Sequence, residues 1–176
     1  RLNHLVDQLL LLARYENEKQ TLKKEPVCLN SVLLDILARQ SGIIEAKEIK
    51  IITELNDDFY CLSDHHFVTI IVTNLISNAL KYSRQNGLIE INLNHHQNQI
   101  ECTILDNGIG IPQADLEKVF QPFFRSKALN HPEIKGIGVG LSIVQRLCSL
   151  LQVGINITST ENLGTKVTLI FQSIPK

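Results

Sequence analysis

The stretch Asp106-Asn-Gly-Ile-Gly-Ile-Pro112 sets a carboxylate and two glycines at the end of an apolar run. That run, Ile100-Glu101-Cys102-Thr103-Ile104-Leu105, alternates as a strand does, so Asp106 falls where a buried strand meets a loop, its carboxylate aimed inward. A carboxylate in such a place needs a donor. Gly108 and Gly110 allow a sharp turn and a close approach to a flat ligand, because neither carries a Cβ. An adenine ring meets both demands: its exocyclic amine donates to Asp106 while its face packs on apolar neighbours. Taken alone, Asp-Asn-Gly is also an ordinary turn with an Asx cap, so its meaning depends on what surrounds it.

Upstream, Asn74-Leu-Ile-Ser-Asn78-Ala-Leu-Lys81-Tyr82 lies in a helical pattern. At about 100° per residue, Asn74, Asn78 and Lys81 share one narrow face, and Val68, Val72, Leu75 and Ala79 form an apolar stripe beside it. Two amides one turn apart offer neutral oxygens to a hard cation that keeps most of its water and phosphate ligands, as Mg²⁺ does. Lys81 adds a point charge for phosphate; without the downstream glycines the same face reads equally as solvated surface. Those glycines, Gly136, Gly138 and Gly140, run directly into Leu141-Ser-Ile-Val-Gln-Arg-Leu147, a helix whose free N–H groups and positive dipole end can hold phosphate oxygens. Between the two sites, Ala114 to Val119 suggests a short helix, Phe120, Phe123 and Phe124 an aromatic clasp, and 125–135 a lid without apolar periodicity.

The positioning elements are legible around these residues. Pro26 to Leu29 suggests a short edge strand, and Asn30 caps a helix carrying Val32, Leu33, Ile36, Leu37 and Ile44. Ile49 to Thr53 and Phe59 to Leu62 read as two strands joined by an Asn-Asp-Asp turn, after which Ser63 and Asp64 open the asparagine-bearing helix. Leu88 to Asn94 alternates and turns through His95-His96-Gln-Asn98 into the strand ending at Asp106, an antiparallel hairpin with one face covered by helices. The paired histidines point to opposite faces of a strand, or to solvent in a turn, which disfavours a metal site. Val153 to Ser159 and Lys166 to Phe171 close the pattern as strands flanking Gly164-Thr165. At the other end, Leu2, Leu5, Val6, Leu9, Leu12 and Ala13 have the spacing of an amphipathic helix that needs a partner, and Glu18 to Glu25 reads as a linker.

Bulk properties exclude several classes. With 176 residues, net charge −1 and a pI near 6.6, the chain has one domain's worth of core plus an appendage and no basic excess for nucleic acid. No apolar stretch reaches membrane-spanning length. Cys28, Cys61, Cys102 and Cys148 lie far apart with no zinc or redox spacing, which fits buried thiols in a reducing cytoplasm. The sequence has no methionine and opens inside a helical pattern, as an excised fragment does. It contains no Gly-x-x-x-x-Gly-Lys-Ser/Thr, its 136–140 glycines follow a charged loop rather than a strand, and protein-kinase signatures are missing; P-loop, dinucleotide-fold and protein-kinase readings all fail.

In order and spacing, the Asn74–Tyr82 segment, Asp106–Pro112, Phe120-Gln-Pro-Phe-Phe-Arg125, Gly136-Ile-Gly-Val-Gly140 and Gly164-Thr165 resemble the nucleotide-binding boxes of the GHKL (Bergerat-fold) superfamily. The resemblance spans residues 22 to 174 and is nearest to the catalytic domain of bacterial sensor histidine kinases. It implies an α/β (α+β) two-layer sandwich: a mixed sheet covered by three helices, ATP beneath a lid, and an N-terminal amphipathic helix in front. Residues 1–20, ending Leu-Leu-Leu-Leu-Ala-Arg-Tyr-Glu, resemble the close of a dimerisation and phosphotransfer hairpin, and 21–176 the catalytic domain. By the same resemblance Asp106 binds the adenine amine with help from Thr165, Gly108 and Gly110 shape the pocket, and Ile111, Phe120, Val139 and Leu141 border the nucleotide. Asn78, with Asn74, holds Mg²⁺; Lys81 and Tyr82 lie toward phosphates and ribose; Arg125 approaches the γ-phosphate; Gly136, Gly138 and Gly140 wrap the phosphate chain. The implied reaction transfers that phosphate to a histidine, for relay to a response regulator receiver domain, in a cytoplasmic part of a homodimeric and sometimes membrane-anchored parent.

Within the superfamily, ATP-hydrolysing members carry a glutamate one turn before the magnesium asparagine; here that position is Asn74, whose amide cannot act as a general base. A kinase is therefore favoured over an ATPase. None of the six histidines (His4, His65, His66, His95, His96, His131) stands in a sequence like the family's acceptor box, so this stretch binds ATP without phosphorylating itself. Two departures bear on the lid: Lys135 replaces a frequent glycine, and Ile137 and Val139 replace smaller or leucine residues. The other readings are a nucleotide-responsive module without transfer and a stand-alone serine kinase relative, the second disfavoured by the bundle-like first helix.

Overall fold

A computed structural model describes residues 22–55, 57–126 and 137–174; the expected first helix, Gly136 and most of the expected lid lie outside them. Among the described residues, seven strands and five helices follow in chain order: β1 Glu25–Cys28, α1 Leu29–Arg39, α2 Ser41–Ala46, β2 Lys50–Glu54, β3 Tyr60–Ser63, α3 His65–Tyr82, β4 Leu88–His96, β5 Gln99–Asp106, α4 Gln113–Leu116, α5 Gly140–Leu151, β6 Gly154–Thr160 and β7 Gly164–Gln172. The main sheet has the order β2-β4-β5-β7-β6. Its β2 runs parallel to β4 and every other pairing is antiparallel, which makes the sheet mixed. The strand that ends at Asp106 is therefore the central one. Alternation turns Ile89, Ile91 and Leu93 of β4 and Ile100, Cys102 and Ile104 of β5 onto one face, where all are buried. Helices α1, α3 and α5 form the second layer, with α3 in the middle packing on both neighbours. This is the expected two-layer architecture.

Helix α3 is fixed at both ends, and the fixing orients its functional face. Asp64 caps its N-terminus, accepting from the N–H groups of His66 at 3.0 Å and Phe67 at 3.3 Å. At the C-terminus, the Lys47 ammonium donates to the carbonyls of Leu80 at 2.8 Å, Lys81 at 3.0 Å and Ser83 at 3.0 Å. Those carbonyls lack helical partners and carry the negative end of the helix dipole, so a cation suits them. Burial in this position lowers the Lys47 pKa from its ordinary value.

Three local expectations change. The strands at 50–54 and 60–63 do not form a hairpin: β2 joins the edge of the main sheet beside β4, whereas β3 pairs with β1 in a separate two-stranded ribbon. Asn30, expected as a helix cap, instead holds the loop between β2 and β3. Its side chain, buried in the first turn of α1, donates to Asp57 O at 2.8 Å and accepts from Phe59 N–H at 2.9 Å, drawing the connecting loop away from β2. Cys28 occupies the cap position and makes no side-chain cap bond. The Phe clasp also opens: Phe123, at φ +64°, is 67% exposed, whereas Phe124 faces the cleft described below.

Replacing Lys47 by Met keeps the apolar stem and removes three charge-assisted bonds. Urea unfolding should show a loss of about 1–3 kcal/mol at constant m-value. A change below about 0.5 kcal/mol would show that water caps α3 equally well.

Candidate functional site

Asp106 ends the central strand and is only 6% exposed. Its Oδ1 accepts from Gly108 N–H at 2.9 Å, an Asx-type closure across the loop, and the backbone N–H of Thr165 supplies a second stabilising bond. Burial outweighs both and pushes the carboxyl up from an ordinary 3.8 to about 6. The glycines beside it are required by contact as much as by turn. A Cβ on Gly108 would lie 2.4 Å from Tyr82 O, against the last turn of α3. Gly164, at φ +120°, would press one to 1.9 Å from Asp106 O. Asn107 adds a clamp that holds the loop onto β4: its Oδ1 accepts from Leu88 N–H at 2.8 Å.

Asp106 opens into a cleft of about 240 Å³ between α3, the central strands and the start of α5. Apolar side chains of Leu75, Ala79, Ile104, Ile111, Phe124 and Val167 line it around the carboxylate. Such walls suit a flat heteroaromatic ring whose polar edge meets Asp106. The lining also carries the cations Lys81 and Arg125 and the turn Gly138-Val139-Gly140-Leu141 that begins α5. Lys81 Nζ stands 4.9 Å from the centroid of the Tyr82 ring, which restrains its long stem. Helix α5 spans 12 residues, and the N–H groups of its first turn have no helical acceptor. An anion-binding region and a buried acceptor thus share one cleft.

Most expected site residues converge there. Asn78, Lys81, Tyr82, Asp106, Gly110, Ile111, Arg125, Gly138, Val139, Gly140, Leu141 and Thr165 all line the cleft. Gly108 lies behind it, supporting Asp106. Phe120 is half-buried outside the lining, and Gly136 is outside the described residues. Asn74 also stands back: its Nδ2 donates to Ile70 O at 2.9 Å, and its Oδ1 faces the first residue of α5, 3.1 Å from where a Gly140 Cβ would be. Sequence reasoning missed Ser126 and Ser159. Ser126, 4% exposed, lines the cleft and donates to Asp115, which ties the residue after Arg125 to α4. Ser159 binds the backbone of Ile111 and Gly164 and the Thr165 hydroxyl. No periodic or motif signal marks an isolated serine, although Ser159 stands on the inward side of β6 six residues before Thr165.

A one-sided mixed sheet with this carboxylate and glycine-lined cleft defines a nucleotide-binding α/β sandwich. Residues 63–174 match the family of histidine kinase-, DNA gyrase B-, and HSP90-like ATPases, and the chain belongs to that family, carrying its ATP-binding domain. It is 31% identical over 171 residues to the sensor protein kinase GraS of Staphylococcus aureus strain JH1, covering 97% of this chain and 49% of GraS. The chain thus spans about half the length of the curated relatives it matches. Among solved structures, full-length ShkA in complex with AMPPNP aligns with a TM-score of 0.83 at 21% identity, over 99% of this chain and 37% of that one. The histidine kinase ThkA in complex with the response regulator protein TrrA aligns at 0.76 and 22% identity, over 99% and 48%.

Because the fold raises the Asp106 pKa, this group contributes stability that is whole below about pH 4 and is lost as pH rises through about 6. Two units correspond to about 3 kcal/mol. In denaturant titrations, Asp106→Asn should therefore gain on the wild type by up to about 3 kcal/mol between pH 4 and pH 7. Parallel stability curves would mean that the carboxylate titrates as in water.

Proposed function

We propose that this cleft binds ATP with Mg²⁺ and that the chain is the catalytic domain of a two-component sensor histidine kinase, donating the γ-phosphate to a histidine. The observation that carries the reading is the cleft's polarity: a buried acceptor among apolar walls for the base, with Lys81, Arg125 and the α5 N-terminus in the same lining for the phosphates. Asp106 takes the adenine amine with Thr165 beside it, while Ile111, Val139 and Leu141 contact the nucleotide and Gly108 and Gly110 shape the loop. Lys81 and Tyr82 serve the phosphates and ribose, and Arg125 serves the γ-phosphate. Gly136, Gly138 and Gly140 follow the phosphate chain, and Phe120 backs the pocket from outside its lining.

The residues present fit a magnesium nucleotide. Asn78 offers a neutral amide oxygen in the cleft. A magnesium ion held there by Asn78 would draw its other ligands from phosphate oxygens and water, as Mg²⁺ prefers. When bound, the ion neutralises charge on the phosphates during transfer. Asn74, one turn earlier, supports α5 and reaches the ion only indirectly. As an amide it supplies no base for water, which favours transfer over hydrolysis.

In the transfer, a phosphorus–nitrogen bond to imidazole forms as the bridging bond to ADP breaks, and the phosphoryl group then passes to an aspartate of a response regulator receiver domain. The acceptor histidine lies on a dimerisation and phosphotransfer hairpin of a homodimeric parent; residues 1–20, which resemble the close of that hairpin in sequence, lie outside the described residues, and 21–176 are the catalytic domain that follows. No helix among the described residues is long and apolar enough to cross a membrane, and the chain works on the cytoplasmic side, where ATP is available.

Calorimetric titration with a non-hydrolysable ATP analogue and Mg²⁺ should show binding that falls at least about tenfold in Asp106→Asn. Asn78→Ala should make the remaining affinity less dependent on magnesium. With γ-labelled ATP and a separate histidine-bearing hairpin, acid-labile label should appear on the hairpin. Binding without transfer to any such hairpin would support a nucleotide-responsive module in place of a kinase.

A further inference from the structure

Ser159 of β6 holds more of the adenine end than a strand serine needs to. Its Oγ lies 2.8 Å from Ile111 N, 2.7 Å from Gly164 O and 2.9 Å from Thr165 Oγ1. A hydroxyl has one proton and two lone pairs, so three partners exhaust it. The Gly164 carbonyl is an acceptor only, and at 2.7 Å it must receive the Ser159 proton. The Ile111 N–H is a donor only and takes one lone pair. One lone pair remains, so the third contact has a single solution: Thr165 Oγ1–H donates to Ser159.

That assignment decides what Thr165 offers a ligand. With its proton committed to Ser159, the Thr165 hydroxyl presents only lone pairs to the cleft it lines. Its register partner across the sheet is Asp106, whose carboxylate also accepts. We infer that Ser159 is a positioning and specificity-determining residue: it locks Thr165 as an acceptor, so that the base end of the cleft takes a purine edge bearing an amine and rejects one bearing an oxo group. The inference rests on the reading of the cleft as an adenine site. A 6-amino purine brings two N–H donors to this wall. A 6-oxo purine keeps one donor, its N1–H, but places a carbonyl oxygen where the amine would be, facing two acceptors and no free proton, and a site with unmatched buried polar groups discriminates strongly. Through Ile111, the same serine ties the loop after Asp106 to β6, so loop and hydroxyl are set together.

The test compares Mg²⁺ADP and Mg²⁺IDP affinities for the wild type, Ser159→Ala, Ser159→Thr, Thr165→Val and Asp106→Asn, with thermal melts confirming folding. In Ser159→Ala the Thr165 proton is released to rotate toward a 6-oxo group, and the ADP-over-IDP preference should narrow about tenfold. Ser159→Thr, which restores the hydroxyl, should retain the wild-type preference. Thr165→Val removes the acceptor itself and should narrow the ratio by weakening ADP more than IDP, which keeps the test open if Ser159→Ala folds poorly. Equal weakening of both nucleotides in Ser159→Ala and Thr165→Val, or an unchanged ratio in both, would overturn the inference. The control separates the two failures: if Asp106→Asn leaves ADP affinity intact, the adenine reading itself falls, whereas its loss beside unchanged ratios removes only the role of Ser159.

Discussion

The burial of one carboxylate organises this molecule. Asp106 ends the central strand at 6% exposure, and its two backbone donors do not offset the cost of taking the charge from water, as its pKa of about 6 records. An interaction left short of donors in an apolar cleft is a demand for a ligand that brings them. The surroundings meet the geometric side of that demand. Gly108 and Gly164 remove side chains that would collide with Tyr82 and with Asp106 itself, and Asn107 clamps the loop to β4. The buried carboxylate is thereby held still, so that binding energy goes into recognition rather than ordering.

The same economy governs the phosphate end. Helix α3 carries Asn78, Lys81 and Tyr82 into the cleft, and its orientation is set by Asp64 at one end and Lys47 at the other. Helix α5 starts at the cleft with Gly140 against the Asn74 side chain, where a Cβ would crowd Asn74 Oδ1 at 3.1 Å. Asn74 thus couples the two helices even though it stands behind the lining. Three of the four cysteines serve packing: burial lifts the thiols of Cys61, Cys102 and Cys148 to about 12, which leaves them neutral and unreactive.

How much of this was legible in the sequence follows from which forces are periodic or local. The strand before Asp106, the helix of Asn78 and the Asp64 cap were readable because alternation, helical spacing and capping chemistry act within a few residues. So was the convergence of Asn78, Lys81, Asp106, Gly138 and Thr165, whose box order matches a known family pattern. The pairing of β2 was not, since it joins β4 some 38 residues away, and Asn30 reaches Asp57 and Phe59 across 27 and 29 residues of chain. A capping asparagine and a loop-pinning one look identical in sequence. Asn74 fell on the predicted face, but its amide donates to Ile70 O one turn back in its own helix and leaves its oxygen toward Gly140, a side-chain arrangement that helical spacing does not show. Ser159 carried no signal because its importance lies in proton counting among three partners, Gly164 and Thr165 across the β6–β7 turn and Ile111 in the loop after β5.

The central claim is that Asp106, a buried carboxylate with backbone donors from Gly108 and Thr165, gains a further donor in the adenine amine. Its most direct test is a ¹³C NMR titration of the Asp106 side-chain carboxyl in the free protein and with a saturating non-hydrolysable ATP analogue and Mg²⁺. The account predicts a pKa of about 6 in the free protein that falls on binding, because the amine favours the ionised form. A carboxyl titrating near 3.8 when free, or one whose pKa does not move when the nucleotide binds, would contradict it.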